Sequence, residues 1–177
     1  GGVALYRPGL GELEIIDLPQ TRVLQSGIKL LPTAVVKLLP FGETIIGVNS
    51  EAIFRFRIDS NGRVEAKELA KLFTDESPVV VSTADIYGAT IFIGTVSSGL
   101  MVVDLNDNSV ERIPAGPNSN DLPSNLITAI LSTSRGVWLG TQNGLVFTED
   151  RGRSFEYYGE TFTGLPSNWI VGLYQSS

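Results

Sequence analysis

Short apolar runs, each five to seven residues long and closed by glycine, proline or polar residues, follow one another along most of the chain. The pattern is cleanest near the C-terminal end. LITAIL (126–131) leads to a turn at Arg135 and Gly136, then come VWLGT (137–141) and GLVFTE (144–149), a hairpin at Asp150–Gly152, and SFEYY (154–158). Runs of this length, rich in β-branched and aromatic residues and bounded by turn formers, read as strands. The same plan recurs upstream at 79–84, TIFIG (90–94), LMVVDL (100–105), a turn at Asn106–Asn108 and SVERIP (109–114). It recurs again at 34–39, 43–47, AIFRFRI (52–58), a turn at Asp59–Gly62 and a run near 63–69. That last run conflicts with its own composition, because VEAKELAKLF favours helix. Repeat phase demands a strand there, and the phase is taken as the stronger signal.

Two rulers fix the phase. TIIGVNSEAIF, TIFIGTVSSGLMVV and GVWLGTQNGLVFT pivot on Gly47, Gly94 and Gly140, which stand 47 and 46 residues apart. Pro32, Pro78, Pro123 and Pro166 stand 46, 45 and 43 residues apart, each opening a β-rich run. A period in the forties with four short strands per unit predicts an all-β chain, a β-propeller of four-stranded antiparallel blades. About four blades' worth is present. Residues 1–22 match the end of a split blade, with Gly2 aligned to Gly144; 30–73, 77–115 and 122–160 are full blades. Residues 165–177, containing NWIVGLYQSS, match only the first strand of a further blade. The split blade lacks its glycine-bearing strand, and a ring closed across that gap would leave unpaired strand edges. The chain therefore reads as a segment of a larger propeller, six to eight blades needing about 280 to 370 residues.

Two residues before each pivot glycine stand Ile45, Phe92 and Trp138, which period-two geometry places on one face of successive sheets. They are expected to pack between blades, and the glycines to shape turns. Gly99 and Gly144 suit a hairpin with positive φ, whereas Ala52 in the comparable place implies a different turn. Six residues after each proline come Leu38, Ala84, Ala129 and Gly172. Three are small, as crowding of inner strands requires; Leu38 departs from this without an evident reason.

Composition narrows the chemistry. The chain is 42% hydrophobic and 18% charged, outside the range of disordered segments. Its net charge is -6, and its densest basic group, Lys37, Arg55, Arg57 and Arg63, forms no stripe with stacking aromatics, so no nucleic-acid partner is expected. There is no cysteine and no histidine, which excludes disulfides, thiol chemistry and imidazole-based triads and removes the commonest zinc ligand. No apolar run reaches the ~18 residues that a membrane-spanning helix needs, so this segment is expected to make no membrane contact. No signal peptide is visible. The Asp-rich turns Asp59–Gly62, Asp104–Asn108 and Glu149–Gly152 lack the alternating oxygen ligands and terminal acid of a calcium loop. They read as hairpins, with no metal and no cofactor expected.

The string LPSNLITAILSTSRGVWLGTQNGLVF resembles the two-component regulator propeller repeat, with its L-P-S-N loop, I-x-A-I strand, W-L-G-T strand and N-G-L turn. LPSNWIVGL begins a second copy and GGVALYRP resembles the end of one; the likeness is fair at 90–105 and weak at 30–58. The resemblance implies an extracytoplasmic, periplasmic or cell-surface sensor propeller of a bacterial hybrid histidine kinase, which recognises a ligand and catalyses nothing. TEDRGRSF (148–155) resembles a degenerate Asp-box, the hairpin of sialidase-like propellers, through Asp150 and Gly152. It supports a lesser alternative, a glycoside hydrolase drawing on Glu156, Tyr157, Tyr158 and Glu160. A protein-interaction scaffold is the other alternative. In the sensor reading, ligand contacts are expected from the proline loops and glycine-cassette turns: Ser97, Ser124, Asn125, Gln142, Asn143, Ser167, Asn168 and Trp169. Trp169 beside amides would suit a saccharide, with an inner-strand core role as its competing reading. Other blades or subunits of the same propeller are the remaining expected partners.

Overall fold

The computed structural model describes residues 2–7, 12–17, 35–61, 63–72, 79–160 and 164–176, the first two stretches as backbone only. Pro32, Gly62 and Pro78 lie outside the described residues, as do the outermost residues of several sequence-assigned blades. The chain divides into two compact units, Gly1–Pro78 and Val79–Ser177.

The first unit contains an antiparallel hairpin, β1 (Gly2–Arg7) with β2 (Glu12–Asp17), and a four-stranded antiparallel sheet. Its strands, β3 (Lys37–Phe41), β4 (Thr44–Val48), β5 (Ala52–Ile58) and β6 (Val64–Lys71), pair in chain order. β6 is a strand despite its helix-favouring composition, because it ladders along the whole of β5. Val64 and Ala66 pack against buried Ala52, Phe54 and Phe56, so two-residue periodicity serves the core where a helix would not. Leu38 stands opposite Gly47, and its Cδ2 fills part of the space that glycine leaves. A large residue is accommodated there for that reason. At Ala52 the turn does differ: the Asn49 Oδ1 accepts the N–H groups of Glu51 and Ala52 at 2.9 and 2.7 Å.

The second unit contains two such sheets. One orders β7 (Val81–Tyr87), β8 (Thr90–Thr95), β9 (Leu100–Asp104) and β10 (Val110–Ile113); the other orders β11 (Ile127–Ser132), β12 (Val137–Thr141), β13 (Gly144–Thr148) and β14 (Glu156–Tyr158). Both meander in chain order, as blades do. They stack face to face over one core, in which Phe92, Leu100 and Val102 meet Ile127, Val137, Leu139, Val146 and Phe155.

The pivot glycines do something other than shape turns. Gly94 and Gly140 lie inside β8 and β12, opposite Thr83 and Ala129. A Cβ on Gly94 would sit 2.7 Å from Cγ2 of Ile127, and one on Gly140 would sit 2.7 Å from Cγ2 of Ile170. Each glycine is the seat for the first isoleucine of the following repeat. Hydroxyls secure the same contact: Ser82 Oγ donates to the Ile127 carbonyl at 2.6 Å, and Thr128 Oγ1 donates to the Ile170 carbonyl. Positive φ belongs instead to Gly99 (81°) and Gly144 (124°), where the hairpins turn.

At the outer strands the sheets are joined by polar contacts. Arg151 Nη2 donates to Asp104 Oδ2 at 2.8 Å, and the Phe155 N–H donates to the Asn120 carbonyl at 2.9 Å. The carboxylates of the Asp-rich turns close those turns: Asp59 Oδ1 accepts from the N–H groups of Asn61 and Arg63, and Asp107 Oδ1 from Ser109. Asp150 Oδ1 accepts from Thr148 Oγ1 and the Ser154 N–H.

Filling the seat should be costly. Gly94→Val is expected to destabilise by about 1–3 kcal/mol through overpacking, and Ile127→Ala by about 2–5 kcal/mol through cavity formation. The double variant should lose clearly less than the sum, because the added methyls occupy the vacated space. Urea unfolding monitored by circular dichroism measures all three; strict additivity would show that the two residues do not share the contact.

Candidate functional site: a row of loops along one sheet edge

All eight residues proposed from sequence fall in the second unit, on loops at the edge where second strands end and first strands begin. Two of these loops are the turns of the glycine cassette. Thr95 and Thr141 are fully buried and build them: each Oγ1 donates to the carbonyl of the hairpin glycine, Gly99 at 2.7 Å and Gly144 at 2.8 Å. Each also accepts a backbone N–H, from Ser98 and Asn143 respectively. Both lone pair and proton are used, as burial of a hydroxyl requires. Sequence reading passed over these threonines, although each directly follows a pivot glycine.

The turns carry Ser97, Gln142 and Asn143 on their exposed tips. Asn143 reaches sideways, Nδ2 donating to the Pro123 carbonyl at 3.1 Å, and the Gly99 N–H donates to the Asn125 carbonyl at 3.1 Å. The proline loop is thereby clamped between two turns. Within it Ser124, buried, accepts the Leu126 N–H on Oγ at 3.1 Å, while Asn125 Oδ1 accepts the Ala115 N–H at 2.8 Å.

One period on, the pattern repeats. Ser167 Oγ accepts the Trp169 N–H at 3.0 Å, Asn168 Oδ1 accepts the Glu160 N–H at 2.7 Å, and the Ile170 N–H donates to the Thr141 carbonyl at 3.0 Å. The Ser-Asn pair of each loop thus has a geometric role. Serine closes the local turn, and asparagine caps the connection arriving from the preceding sheet. Their acceptor oxygens are already engaged. What the row presents outward is Ser97, Gln142, the remaining amide hydrogens of Asn125 and Asn168, and the indole of Trp169, which is 55% exposed. Among the described residues, no hydrogen bond engages the side chain of Ser97 or Gln142.

A second concave surface lies on the outer face of β11–β14, lined by Thr133, Arg135, Trp138, Phe147, Glu156 and Tyr158. The Trp138 ring lies 4.7 Å from that of Phe147 and 5.1 Å from that of Tyr158, centroid to centroid. Trp138 is half-buried here, whereas Phe92, 46 residues earlier, is fully buried. A hydrogen bond to Glu156, reinforced by burial, holds the Tyr158 hydroxyl above its ordinary pKa. Among the described residues no group of three or more acidic side chains is arranged to hold a metal ion, and no helix is long and apolar enough to cross a membrane.

Comparison with known proteins bears on this row directly, since residues 121–143, which hold the proline loop and the Thr141 turn, match the family model described as two component regulator propeller. This segment is a two-component regulator propeller repeat. Solved structures of similar fold include the extracellular domain of the hybrid two-component system BT3049 from B. thetaiotaomicron, at 18% identity and TM-score 0.57, covering 79% of this chain and 20% of that one. The extracellular domain of BT4673 from the same organism matches at 16% identity and TM-score 0.50, over 71% of this chain and 17% of that one. PorZ, a surface component of the type-IX secretion system of Porphyromonas gingivalis, matches at 14% identity and TM-score 0.55, over 96% of this chain and 26% of that one. The chain therefore spans about a sixth to a quarter of the length of these propeller proteins. No curated protein matches the sequence.

The outer turns of the propeller sheets carry a pH dependence. Asp104 is held below the ordinary carboxylate pKa by the Asn106 N–H and, further, by Arg151. Asp107 is lowered by the hydroxyl and N–H of Ser109. At Asp150 burial acts the other way, but bonds from Ser154 and Thr148 outweigh it and the pKa is lowered. A depressed carboxylate contributes stability above its unfolded pKa of about 3.9, and the contribution disappears as pH falls through the folded value. Thermal stability is expected to be flat from neutral pH to about pH 5 and to fall below about pH 4. Asp104→Asn should shallow that acid limb in a series of melting curves; an unchanged limb would rule out the Asp104–Arg151 contact as a contributor.

Proposed function

We propose that the chain is part of the non-catalytic sensor propeller of a bacterial two-component signalling protein, working outside the cytoplasm, and that the row of loops recognises a saccharide. The observation that carries this reading is the repeat at 121–143, whose loop residues are the ones that build the row. Similarity of fold to extracellular domains of hybrid two-component systems supports the same class and the same location. Fold alone does not fix function, so the ligand argument rests on the loops themselves.

Their chemistry suits a neutral polyol. The loops are braced by side-chain bonds to their own backbone and to each other, so little conformational freedom is lost when a ligand binds. They present hydroxyl and amide donors beside an exposed indole, and an indole can stack on the apolar face of a sugar ring while amides bond its hydroxyls. Arg112, whose Nε donates to the Ser98 carbonyl, and Glu160, whose N–H donates to Asn168, bring one charge of each sign to the row, so neither sign dominates. Of the residues that a glycosidase reading would use, Glu156, Tyr157 and Tyr158 stand on the outermost strand, and Glu160 follows it with its N–H bonded to Asn168 of the row.

The test is thermal shift against a panel of neutral and acidic oligosaccharides, with Trp169→Ala as control. Because Trp169 is largely exposed, the variant should keep its unliganded stability within about 0.5 kcal/mol. A stabilising glycan is expected to lose at least most of its shift in that variant. Absence of a shift with every glycan would overturn the saccharide assignment, and hydrolysis of an aryl glycoside would overturn the non-catalytic one.

A further inference from the structure

Two turns of the row are built alike but covered differently. Arg112 pairs with Met101 and Tyr157 with Val146, each one step beyond the hairpin-side pairs Ile113–Leu100 and Tyr158–Leu145. The two residues therefore hold the same place in successive repeats. Tyr157 lies over its turn: a Cβ on Gly144 would come within 2.5 Å of Tyr157 Cε2. Arg112 lies over the other, its Nε donating to the Ser98 carbonyl at 2.9 Å. A neutral aromatic side chain suffices to cover such a turn, so packing does not demand the charge of Arg112.

Among the described residues no carboxylate pairs with Arg112, and no other bond engages its terminal NH2 groups. The bond to Ser98 orients the guanidinium and leaves that fork directed elsewhere. Acceptors around the turn are already taken. The Ser98 carbonyl receives Arg112, the Gly99 carbonyl receives Thr95, and the carbonyl and Oδ1 of Asn125 receive the N–H groups of Gly99 and Ala115. What stays free is a set of donors. The guanidinium fork lies on one side of the Ser98–Gly99 peptide and Asn125 Nδ2 on the other, with the exposed hydroxyl of Ser97 at the tip. A cationic surface with donors to spare and its acceptors spent selects an anionic acceptor, and the planar fork matches a carboxylate. At the far end of the row the sign reverses, because Glu160 is bonded there to Asn168.

We propose that Arg112 determines the specificity of the row, and that the saccharide carries a carboxylate, as a uronic-acid unit, at the end formed by the turn 97–99. The inference rests on the saccharide reading and adds a direction to it. The carboxylate accepts from the terminal NH2 groups of Arg112, beside the Ser97 hydroxyl. The rest of the saccharide is the neutral polyol that suits the amides and the Trp169 indole, and Glu160 repels a carboxylate from that end.

The test titrates galacturonate and glucuronate oligosaccharides into the full chain by calorimetry, each beside the same oligosaccharide with its carboxyls reduced to primary alcohols. At least one acid form is expected to bind about fivefold or more tightly than its carboxyl-reduced counterpart. Arg112→Tyr, which copies the residue of the following repeat, should bind the two forms alike, and its unliganded circular dichroism should match that of the parent. An oligosaccharide bound equally well in both forms, or an acid preference that survives Arg112→Tyr, would overturn the proposal and leave the saccharide reading standing. If neither form of any probe binds, a neutral glycan that does bind overturns this proposal alone. Binding of no glycan at all overturns both.

Discussion

Much of the second unit depends on one contact, an isoleucine side chain resting on a glycine in the middle of the preceding sheet. At Gly94 and Gly140 even a methyl group would overlap the isoleucine above it. The absent Cβ lets the first strand of one repeat approach the second strand of the previous one closely enough for hydroxyl-to-carbonyl bonds from Ser82 and Thr128 to form. Once that approach is set, the remaining apolar side chains of the two facing sheets meet at ordinary packing distance, and Phe92 is enclosed. The contact is local, but it is repeated at the period of the sequence, so it sets the spacing of sheets as a pitch sets a thread.

The loops inherit their order from that spacing. With the sheets in register, the turn after β8 lies beside the start of β11, and the turn after β12 beside Ile170. Side chains can then be shared between neighbours: Asn143 braces Pro123, Asn125 caps Ala115, and buried Thr95 and Thr141 hold their hairpins from beneath. Polar residues that look free in a linear sequence are committed to the scaffold by this arrangement. The surface left over is small and rigid, which is favourable for selective recognition because few rotamers must be frozen on binding.

The rulers of glycine and proline made the fold readable because they record a constraint within each repeat as well as between repeats. Strand runs, turn residues and the deviation at Ala52 all follow from short-range chemistry, and even β6 yields once phase is allowed to outweigh helix propensity. The roles of Gly94, Ser82 and Asn125 were not readable, since their partners lie 33, 45 and 10 residues away and act through a face or edge that composition does not reveal. The same limit applies to Ser124 and Asn168. Their identity pointed to a ligand, while their hydrogen bonds show a bracing role that any ligand would have to share. Leu38 was the converse case, an exception in sequence that becomes ordinary once it is seen lying over Gly47.

Phe92 and Trp138 make the clearest argument about how such a surface should be read. They occupy the same place in the same strand of successive repeats, and both stand on the face directed toward the following repeat. One is enclosed and the other lines an open concavity, so their difference lies in the neighbour and not in the residue. An aromatic cluster in a concave setting is ordinarily taken as a sign of a small-molecule site. In a periodic fold that inference must first be checked against the equivalent position elsewhere in the period. Here the equivalent position, Phe92, is interior to the interface between β7–β10 and β11–β14. The loop row passes the same check differently: its counterparts in both repeats sit at the sheet edge, with Ser97, Gln142 and Trp169 facing outward. Periodicity thus separates the surface that the fold uses for itself from the surface it leaves exposed.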